Sequence, residues 1–159
     1  MATNFRSERV VQAPPTAVIA AITDLESWSR WMPGLVRVER LTQGPFDLGT
    51  RWRETRKMYG REASEVFQVS EYEPPGRLGL LVDGAQGTTG RGEYRFLYLL
   101  EPVPEGATRV TLEGEIEMPG LVARLLAPLM KGMLRRGCER VLDALATHVE
   151  SASTFPPDR

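Results

Sequence analysis

A change of periodicity near residue 119 limits what this chain can fold into more than any other feature. Between residues 35 and 118 apolar and polar side chains mostly alternate, and clusters of glycine and proline repeatedly interrupt the pattern. This pattern predicts about six successive antiparallel strands. After Pro119 and Gly120 apolar residues recur every three or four positions, which predicts one long amphipathic helix that packs on the sheet. The apolar stripe of this helix comprises Val122, Leu125, Leu126, Leu129, Met133, Val141, Leu142, Leu145 and Val149.

The first 35 residues predict one strand and two short helices. The strand covers residues 5–12, and the segment PTAVIAAIT predicts the first helix. Asp24 is a candidate N-cap of a second short helix that runs through Trp31 and ends at Pro33 and Gly34. The expected fold class is α+β, with a curved antiparallel sheet of about seven strands wrapped around the long C-terminal helix.

Length and proline placement refine this expectation. A chain of 159 residues corresponds to one domain, assigned here to residues 1–150. The tail at residues 151–159 is expected to be disordered. Pro128 predicts a kink in the long helix, or a break into a short and a long helix, because proline removes one backbone hydrogen bond.

Composition excludes several classes of function. The formal net charge of −1 gives no overall attraction to nucleic acid, and an apolar fraction of 42% argues against stable membrane insertion. Cys138 is the only cysteine and His148 the only histidine, so no internal disulfide and no metal site are expected. About 15 Å of continuous helix would separate the two residues, which excludes a Cys/His catalytic pair. No cofactor is expected, and the absence of a secretory signal at the N-terminus favours the cytoplasm.

The strand RWRETRKMY contains the candidate catalytic groups. Alternation places four of its residues on the face that turns toward the core: Trp52, Glu54, Arg56 and Met58. The other face is expected to contact water: Arg51, Arg53, Thr55 and Lys57. Because buried charges are costly unless paired, Glu54 and Arg56 are candidates for a polar ligand contact, and Glu54 for acid/base catalysis. A structural ion pair at the sheet edge is the alternative.

Aromatic and methionine side chains are the candidates for an apolar ligand wall. Trp28 and Trp31 share one side of a short helix and could line such a wall or act as structural wedges. Tyr94 and Tyr98 could present hydroxyl groups to a ligand or be ordinary core tyrosines. The full predicted ligand-binding set is Trp28, Trp31, Trp52, Met58, Phe67, Tyr94, Phe96, Tyr98, Leu112, Met118, Met130 and Met133.

Four cationic residues interleave with the apolar stripe of the long helix: Lys131, Arg135, Arg136 and Arg140. Such an arrangement suits a solvated outer face or contact with an anionic lipid surface. The nearly neutral charge of the whole chain favours the solvated face.

The order and spacing of five segments resemble the START-like SRPBCC superfamily, in particular its polyketide cyclase/dehydrase-type members. The segments are APPTAVIAAITDLESWSRWMPGLVRVERL, GTRWRE, VSEYEPPGRL, GATRVTLEGE and PGLVARLLAPLM. The resemblance implies the helix-grip fold, with a ligand cavity between the sheet and the terminal helix. One departure is Val18 in the first helix, where many relatives carry an aromatic residue.

Three functions stay open, because the fold does not determine the chemistry. The first is a carrier or sensor that binds a small hydrophobic or amphipathic ligand, which is lipid-like, polyketide-like or aromatic. The second is a polyketide cyclase or dehydratase in which Glu54 acts as acid/base and Arg56 or a tyrosine stabilises enolate charge. The third is a protein interaction module. A monomer or weak homodimer without a nucleic-acid partner is expected in each case.

Overall fold

The chain forms its strands and helices in the predicted order. A computed structural model describes residues 2–153. Within those residues the strands are β1 (Thr3–Val11), β2 (Leu35–Arg40), β3 (Arg51–Met58), β4 (Arg61–Glu73), β5 (Arg77–Asp83), β6 (Glu93–Val103) and β7 (Ala107–Glu117). The α-helices are α1 (Pro15–Thr23), α2 (Trp28–Trp31) and α3 (Leu121–Ser153), and short 3₁₀ turns cover Leu25–Ser27, Gly84–Gln86 and Pro104–Gly106.

The strands form one antiparallel sheet in the order β1-β7-β6-β5-β4-β3-β2. Bulges after Leu35 and Val69 interrupt the register, and such bulges increase the local bend of a sheet. Residues paired across neighbouring strands share a face, so Phe5, Phe96 and Leu80 lie in one row on the inner face that turns toward α3. This curved sheet with one long helix confirms the predicted α+β helix-grip fold.

Side-chain contacts hold α3 along β1. The Ser7 hydroxyl donates a hydrogen bond to the carbonyl oxygen of Arg135 over 3.3 Å. Arg9 forms an ion pair with Asp143, and the backbone N–H of Gln12 donates to Glu150 over 2.9 Å. These contacts fix the direction of the helix from its middle to its C-terminal end.

The segment between α1 and β2 differs in detail from the prediction. Helix α1 coincides with the PTAVIAAIT segment, has Pro15 at its first position and buries Val18. The second helix is split into the 3₁₀ turn and the single turn of α2, and the Asp24 side chain does not cap it. Instead, the Ser27 hydroxyl donates to the carbonyl oxygen of Asp24 over 2.7 Å, which tightens the chain before α2.

Helix α3 tests two predictions. It continues through Pro128 as one helix, which excludes the break into two helices, while the kink that was the alternative stays a prediction. The first part of the predicted stripe was expected to pack on the sheet, but four of its residues are 47–74% exposed: Val122, Leu125, Leu126 and Leu129. The side that turns toward the sheet carries Ala123, Ala127, Met130 and Leu134, each half-buried. Periodicity identifies residues that share a side of a helix but does not say which side packs.

The outer face of β3 supplies a third correction. Thr55 was expected to contact water, but it is 1% exposed. Its hydroxyl lies 2.7 Å from that of Ser64. The Ser64 N–H donates to the hydroxyl of Thr88, in the loop before β6, over 2.8 Å, and the Thr88 N–H donates to the Ser64 carbonyl oxygen over 2.7 Å. Thr55 is therefore buried because this loop folds back over the strand.

At the C-terminal end, α3 extends to Ser153. The remaining part of the expected tail, residues 154–159, lies outside the described residues.

Candidate functional site

A cavity of about 310 Å³ lies between the sheet and the beginning of α3. Its walls come from the start of β1, the end of β7 and the sheet-facing side of α3, and comprise Ala2, Thr3, Ile116, Met118, Ala123, Arg124, Ala127 and Met130. The two alanines of α3 leave space that larger side chains would fill. A mostly apolar cavity of this volume is at the lower end of the range for small-molecule sites.

Polar groups lie at two places around this cavity. Arg124 is exposed and lies among the lining residues, so its guanidinium supplies a positive charge at the rim. The Tyr94 hydroxyl lies 3.9 Å from the sulfur of Met118 and donates to the Thr89 hydroxyl over 3.3 Å. Burial raises the pKa of Tyr94 above its ordinary value, so the group stays a neutral hydroxyl at physiological pH.

Glu65 extends this polar group and was missed by the sequence reasoning. The backbone N–H of Thr89 donates to Glu65 Oε1 over 3.0 Å, and the Thr89 hydroxyl donates to the same oxygen. Glu65 Oε2 is buried without a hydrogen-bond partner among the described residues. A Cβ atom on Gly87 would lie 2.1 Å from that oxygen, so this loop approaches the carboxylate closely because residue 87 is glycine. Alternation in β4 places Glu65 on the same inner face as Phe67. This alternation is the sequence signal from which Glu65 could have been predicted.

Glu54 and Arg56 form a buried ion pair on the inner face of β3. Arg56 Nε donates to Glu54 Oε1, and Trp52 Nε1 lies 3.5 Å from Glu54 Oε2. The Glu54 side chain is 2% exposed and that of Arg56 is 30% exposed, with a second guanidinium nitrogen 3.3 Å from the sulfur of Met32. Both carboxylate oxygens are thus occupied by donors, and neither residue lines the 310 Å³ cavity.

Two further ionisable groups lie near this ion pair. Tyr98 is buried, and burial raises its pKa, with smaller electrostatic contributions from Cys138, Arg56 and Glu54. Burial also raises the pKa of Cys138 to about 12. Cys138 is therefore a neutral thiol at physiological pH, which makes it a poor nucleophile.

The tryptophans belong to an aromatic core. Trp28 is 5% exposed, donates from Nε1 to the Ile22 carbonyl over 3.1 Å and contacts Trp52 edge to face with ring centroids 5.6 Å apart. Trp31 is half-buried and stacks on His148 at 5.7 Å. The same aromatic series continues from Trp52 through Phe67 to Phe96, at 5.5 and 6.3 Å. These contacts favour the structural-wedge interpretation of both tryptophans.

The structure divides the predicted ligand-binding set. Met118 and Met130 line the cavity, and the Tyr94 hydroxyl lies next to Met118. Seven others pack in the core or against it: Trp28, Trp31, Trp52, Phe67, Phe96, Tyr98 and Leu112. Met133 is half-buried on α3 and belongs neither to this core nor to the cavity lining. The side chain of Met58 lies outside the described part of the structure. The cavity residues that sequence reasoning missed are small or at element ends, where periodicity gives little signal.

A second depression, of about 750 Å³, lies near β1. Its lining combines outer-face side chains such as Glu71 and Arg95 with the inner-face Phe5 and Phe96. Lys131 and Arg135 of α3 also line it, so the depression reaches the space between α3 and the inner face of the sheet and is not confined to the outer surface.

Neither a metal cluster nor a membrane span is found in the described part of the chain. Within residues 2–153, no cluster of three or more His, Cys, Asp or Glu side chains could hold a metal ion. No helix over the same range has the length and apolar character needed to cross a membrane.

Comparison with known proteins identifies the family. A sequence model of the family described as "Polyketide cyclase / dehydrase and lipid transport" matches residues 2–150. The chain belongs to this family. Membership confirms the resemblance to START-like SRPBCC proteins of the polyketide cyclase/dehydrase type. A search of curated proteins finds no match.

Solved structures of the same fold cover almost all of the chain. The protein TTHA0849 from Thermus thermophilus superposes with a TM-score of 0.78 and 23% identity, covering 95% of this chain and 99% of that protein. The Zhui aromatase/cyclase from Streptomyces sp. R1128 has a TM-score of 0.78 at 13% identity and 94% coverage of both chains. A START superfamily protein from Mycobacterium smegmatis has a TM-score of 0.76 at 16% identity, with 94% and 99% coverage. At these identities the similarity establishes the fold alone.

Proposed function

We propose that this protein binds one small amphipathic ligand in the cavity beneath the first half of α3 and acts as a carrier or sensor without turnover. The observation that supports this proposal is the 310 Å³ cavity with apolar walls and Arg124 at its rim. The family description, which includes lipid transport, agrees with it.

The lining favours a particular ligand chemistry. Ile116, Met118 and Met130 present apolar and adaptable surface, which suits an aliphatic or aromatic body of irregular shape. The Arg124 guanidinium suits a carboxylate or another anionic group at the cavity rim. We therefore infer a ligand with an apolar body and one acidic head group, of which decanoate is a simple probe.

A cyclase or dehydratase is the second candidate, and one observation favours it. Glu54 is a buried carboxylate on the inner face with Arg56 beside it, as acid/base chemistry on a polyketide would need. The occupied oxygens of Glu54 and its absence from the cavity lining favour the carrier. Residence in the cytoplasm and a monomeric or weakly dimeric state remain predictions under both functions.

The first experiment is native mass spectrometry of the purified protein, followed by organic extraction of any bound molecule. The proposal predicts a stoichiometric amphipathic molecule, or an empty protein that binds decanoate in isothermal titration calorimetry. An empty protein that fails to bind decanoate, or any other amphipathic acid in a panel of increasing size, would contradict it.

Two alanine-to-phenylalanine substitutions on α3 test whether the cavity is the binding site. Ala127→Phe fills the cavity and should weaken decanoate binding at least tenfold. Ala152→Phe adds the same ring at an exposed position of α3 far from the cavity and should leave binding unchanged. Equal binding by the two variants would exclude this cavity as the site.

Substitution of Glu54 separates the two candidate functions. Glu54→Gln keeps the size of the side chain and can still accept a hydrogen bond from Trp52 or Arg56. The carrier proposal predicts that decanoate affinity stays within a few-fold of the wild-type value. An enzyme with Glu54 as its acid/base would lose turnover of a polyketide substrate while keeping affinity.

A further inference from the structure

The outward side of the first half of α3 exposes a contiguous apolar surface, here called the leucine stripe. It consists of Leu121, Val122, Leu125, Leu126 and Leu129, which are between 47% and 74% exposed. At 3.6 residues per turn these positions lie on one side of the helix, roughly opposite Ala123, Ala127 and Met130. Exposed apolar patches beyond a few hundred Å² are uncommon on monomeric proteins and mark interaction surfaces.

Within residues 118–138, which contain the leucine stripe, the charged side chains are all positive. Residues 118–138 contain four cationic side chains and no aspartate or glutamate: Arg124, Lys131, Arg135 and Arg136. Arg124, Lys131 and Arg135 follow one row along the helix at spacings of seven and four residues, and this row borders the stripe. Arg136 continues the line of the stripe toward the C-terminal half. Arg135 also pairs with Glu139 over 3.4 Å at an exposed position, so its charge is partly compensated.

The outer face of the sheet, on the other side from α3, carries mixed charge. Glu113 and Glu115 of β7 lie opposite Arg6 and Arg95, and Arg95 pairs with Glu93 over 2.6 Å. Because the whole chain has a formal charge of −1, the remainder of the protein is net negative when the cationic helix segment is excluded. This asymmetry would orient the protein with α3 toward an anionic surface.

We propose that the leucine stripe docks on the interface of an anionic lipid bilayer, with the leucines among the acyl chains and the flanking cations at the head groups. An interfacial helix combines an apolar face with lysine and arginine at its borders, as α3 does over residues 121–136. Long cationic side chains can reach the head groups while their stems lie along apolar surface. This docking is peripheral, in agreement with the lack of a membrane-spanning helix in residues 2–153. The inference does not depend on a ligand in the cavity.

Vesicle flotation tests the proposal with the full-length protein. The vesicles are phosphatidylcholine alone, and equimolar phosphatidylcholine and phosphatidylglycerol. We expect binding to the anionic vesicles that weakens with added salt, and little binding to the neutral ones. Absence of binding to anionic vesicles at low salt would overturn the proposal.

Matched variants test whether the stripe is the docking surface. The double variant Leu125→Glu with Leu129→Glu should reduce binding to anionic vesicles at least tenfold, and Leu48→Glu, at a comparably exposed leucine outside α3, should not.

A second set of variants tests the flanking cations. Substitution of both Arg124 and Lys131 by glutamine should weaken vesicle binding about tenfold or more, whereas Arg61→Gln in the β3-β4 hairpin should have little effect. Circular dichroism melts verify folding, and these exposed substitutions should leave Tm unchanged.

Two outcomes would overturn the assignment of the stripe. One is vesicle binding that the leucine substitutions do not change. The other is a wild-type dimer in sedimentation velocity that Leu125→Glu dissociates, because a second copy of the chain would then cover the stripe.

Discussion

The two halves of α3 have opposite relations to the rest of the protein. The half that begins at Cys138 buries six side chains against the sheet and α1: Cys138, Val141, Leu142, Leu145, Ala146 and Val149. The half at residues 121–137 buries none; it has the cavity on one side and the leucine stripe on the other. The second half stabilises the fold, and the first half leaves surface available for binding. Binding surfaces belong to such regions of low burial because they must open or exchange partners.

The largest expected effect is the difference in unfolding free energy between a substitution in the second half of α3 and one in the first half. Leu145 is fully buried, and Leu145→Ala should lower the free energy of unfolding by about 2–5 kcal/mol because it leaves a cavity. Leu125 is 74% exposed, and Leu125→Ala should change that free energy by less than about 0.5 kcal/mol. Urea unfolding followed by circular dichroism measures both. Similar losses in the two variants would show that the first half also packs tightly.

A smaller effect is expected at the ion pair beside the junction of the two halves. Arg56→Met leaves the buried carboxylate of Glu54 without its main partner and should cost about 2–3 kcal/mol of unfolding free energy. Because Arg56 is partly exposed, this value lies below most losses from broken buried pairs, which are about 3–5 kcal/mol. Adding Glu54→Gln should recover much of the loss. If the double variant is less stable than Arg56→Met, the remaining Glu54 carboxylate is not the source of the cost.

The smallest effect for one step of the measurement is the loss of stability per pH unit at alkaline pH, and it concerns Cys138, the first buried residue of the second half. The pKa of Cys138 is about 12 in the folded protein, above the ordinary value of the unfolded chain, so the folded state binds more protons between those values. Stability should therefore fall as pH rises above about 9, by at most about 1.4 kcal/mol per pH unit from this thiol. Tyr98, whose pKa is also raised by burial, adds a decrease of the same sign.

Urea unfolding of Cys138→Ala at several pH values isolates the contribution of the thiol. The variant should lose less stability than the wild-type protein between pH values of about 9 and 11. Parallel pH profiles for the two proteins would mean that Cys138 is accessible to water in the folded state.

The sequence predicted the fold and one face of the central strand, because both depend on local patterns. Pro15 at a first helical turn defined α1, and alternation placed Trp52 and Glu54 on the inner face of β3. Thr55 was misplaced because alternation does not register a loop that folds back from residues 84–92. A local pattern thus does not predict burial that comes from a segment distant in sequence.

The candidate site was harder to predict for a related reason. The helical period grouped Leu125 with Leu129 correctly but could not show that Ala123 and Ala127 occupy the side facing the sheet. A cavity exists where side chains are small, and small residues carry the weakest hydrophobic signal. Trp28 and Trp52, which were predicted to line the ligand site, pack instead in the core, because large apolar side chains are usually buried there.

Hydrogen exchange of the α3 amides, measured by mass spectrometry with and without decanoate, tests the division of this helix most directly. The proposed division predicts that residues 121–137 exchange much faster than residues 138–153 in the free protein, and that decanoate slows exchange only in the first half. Equal protection of the two halves, together with no change on adding decanoate, would contradict it.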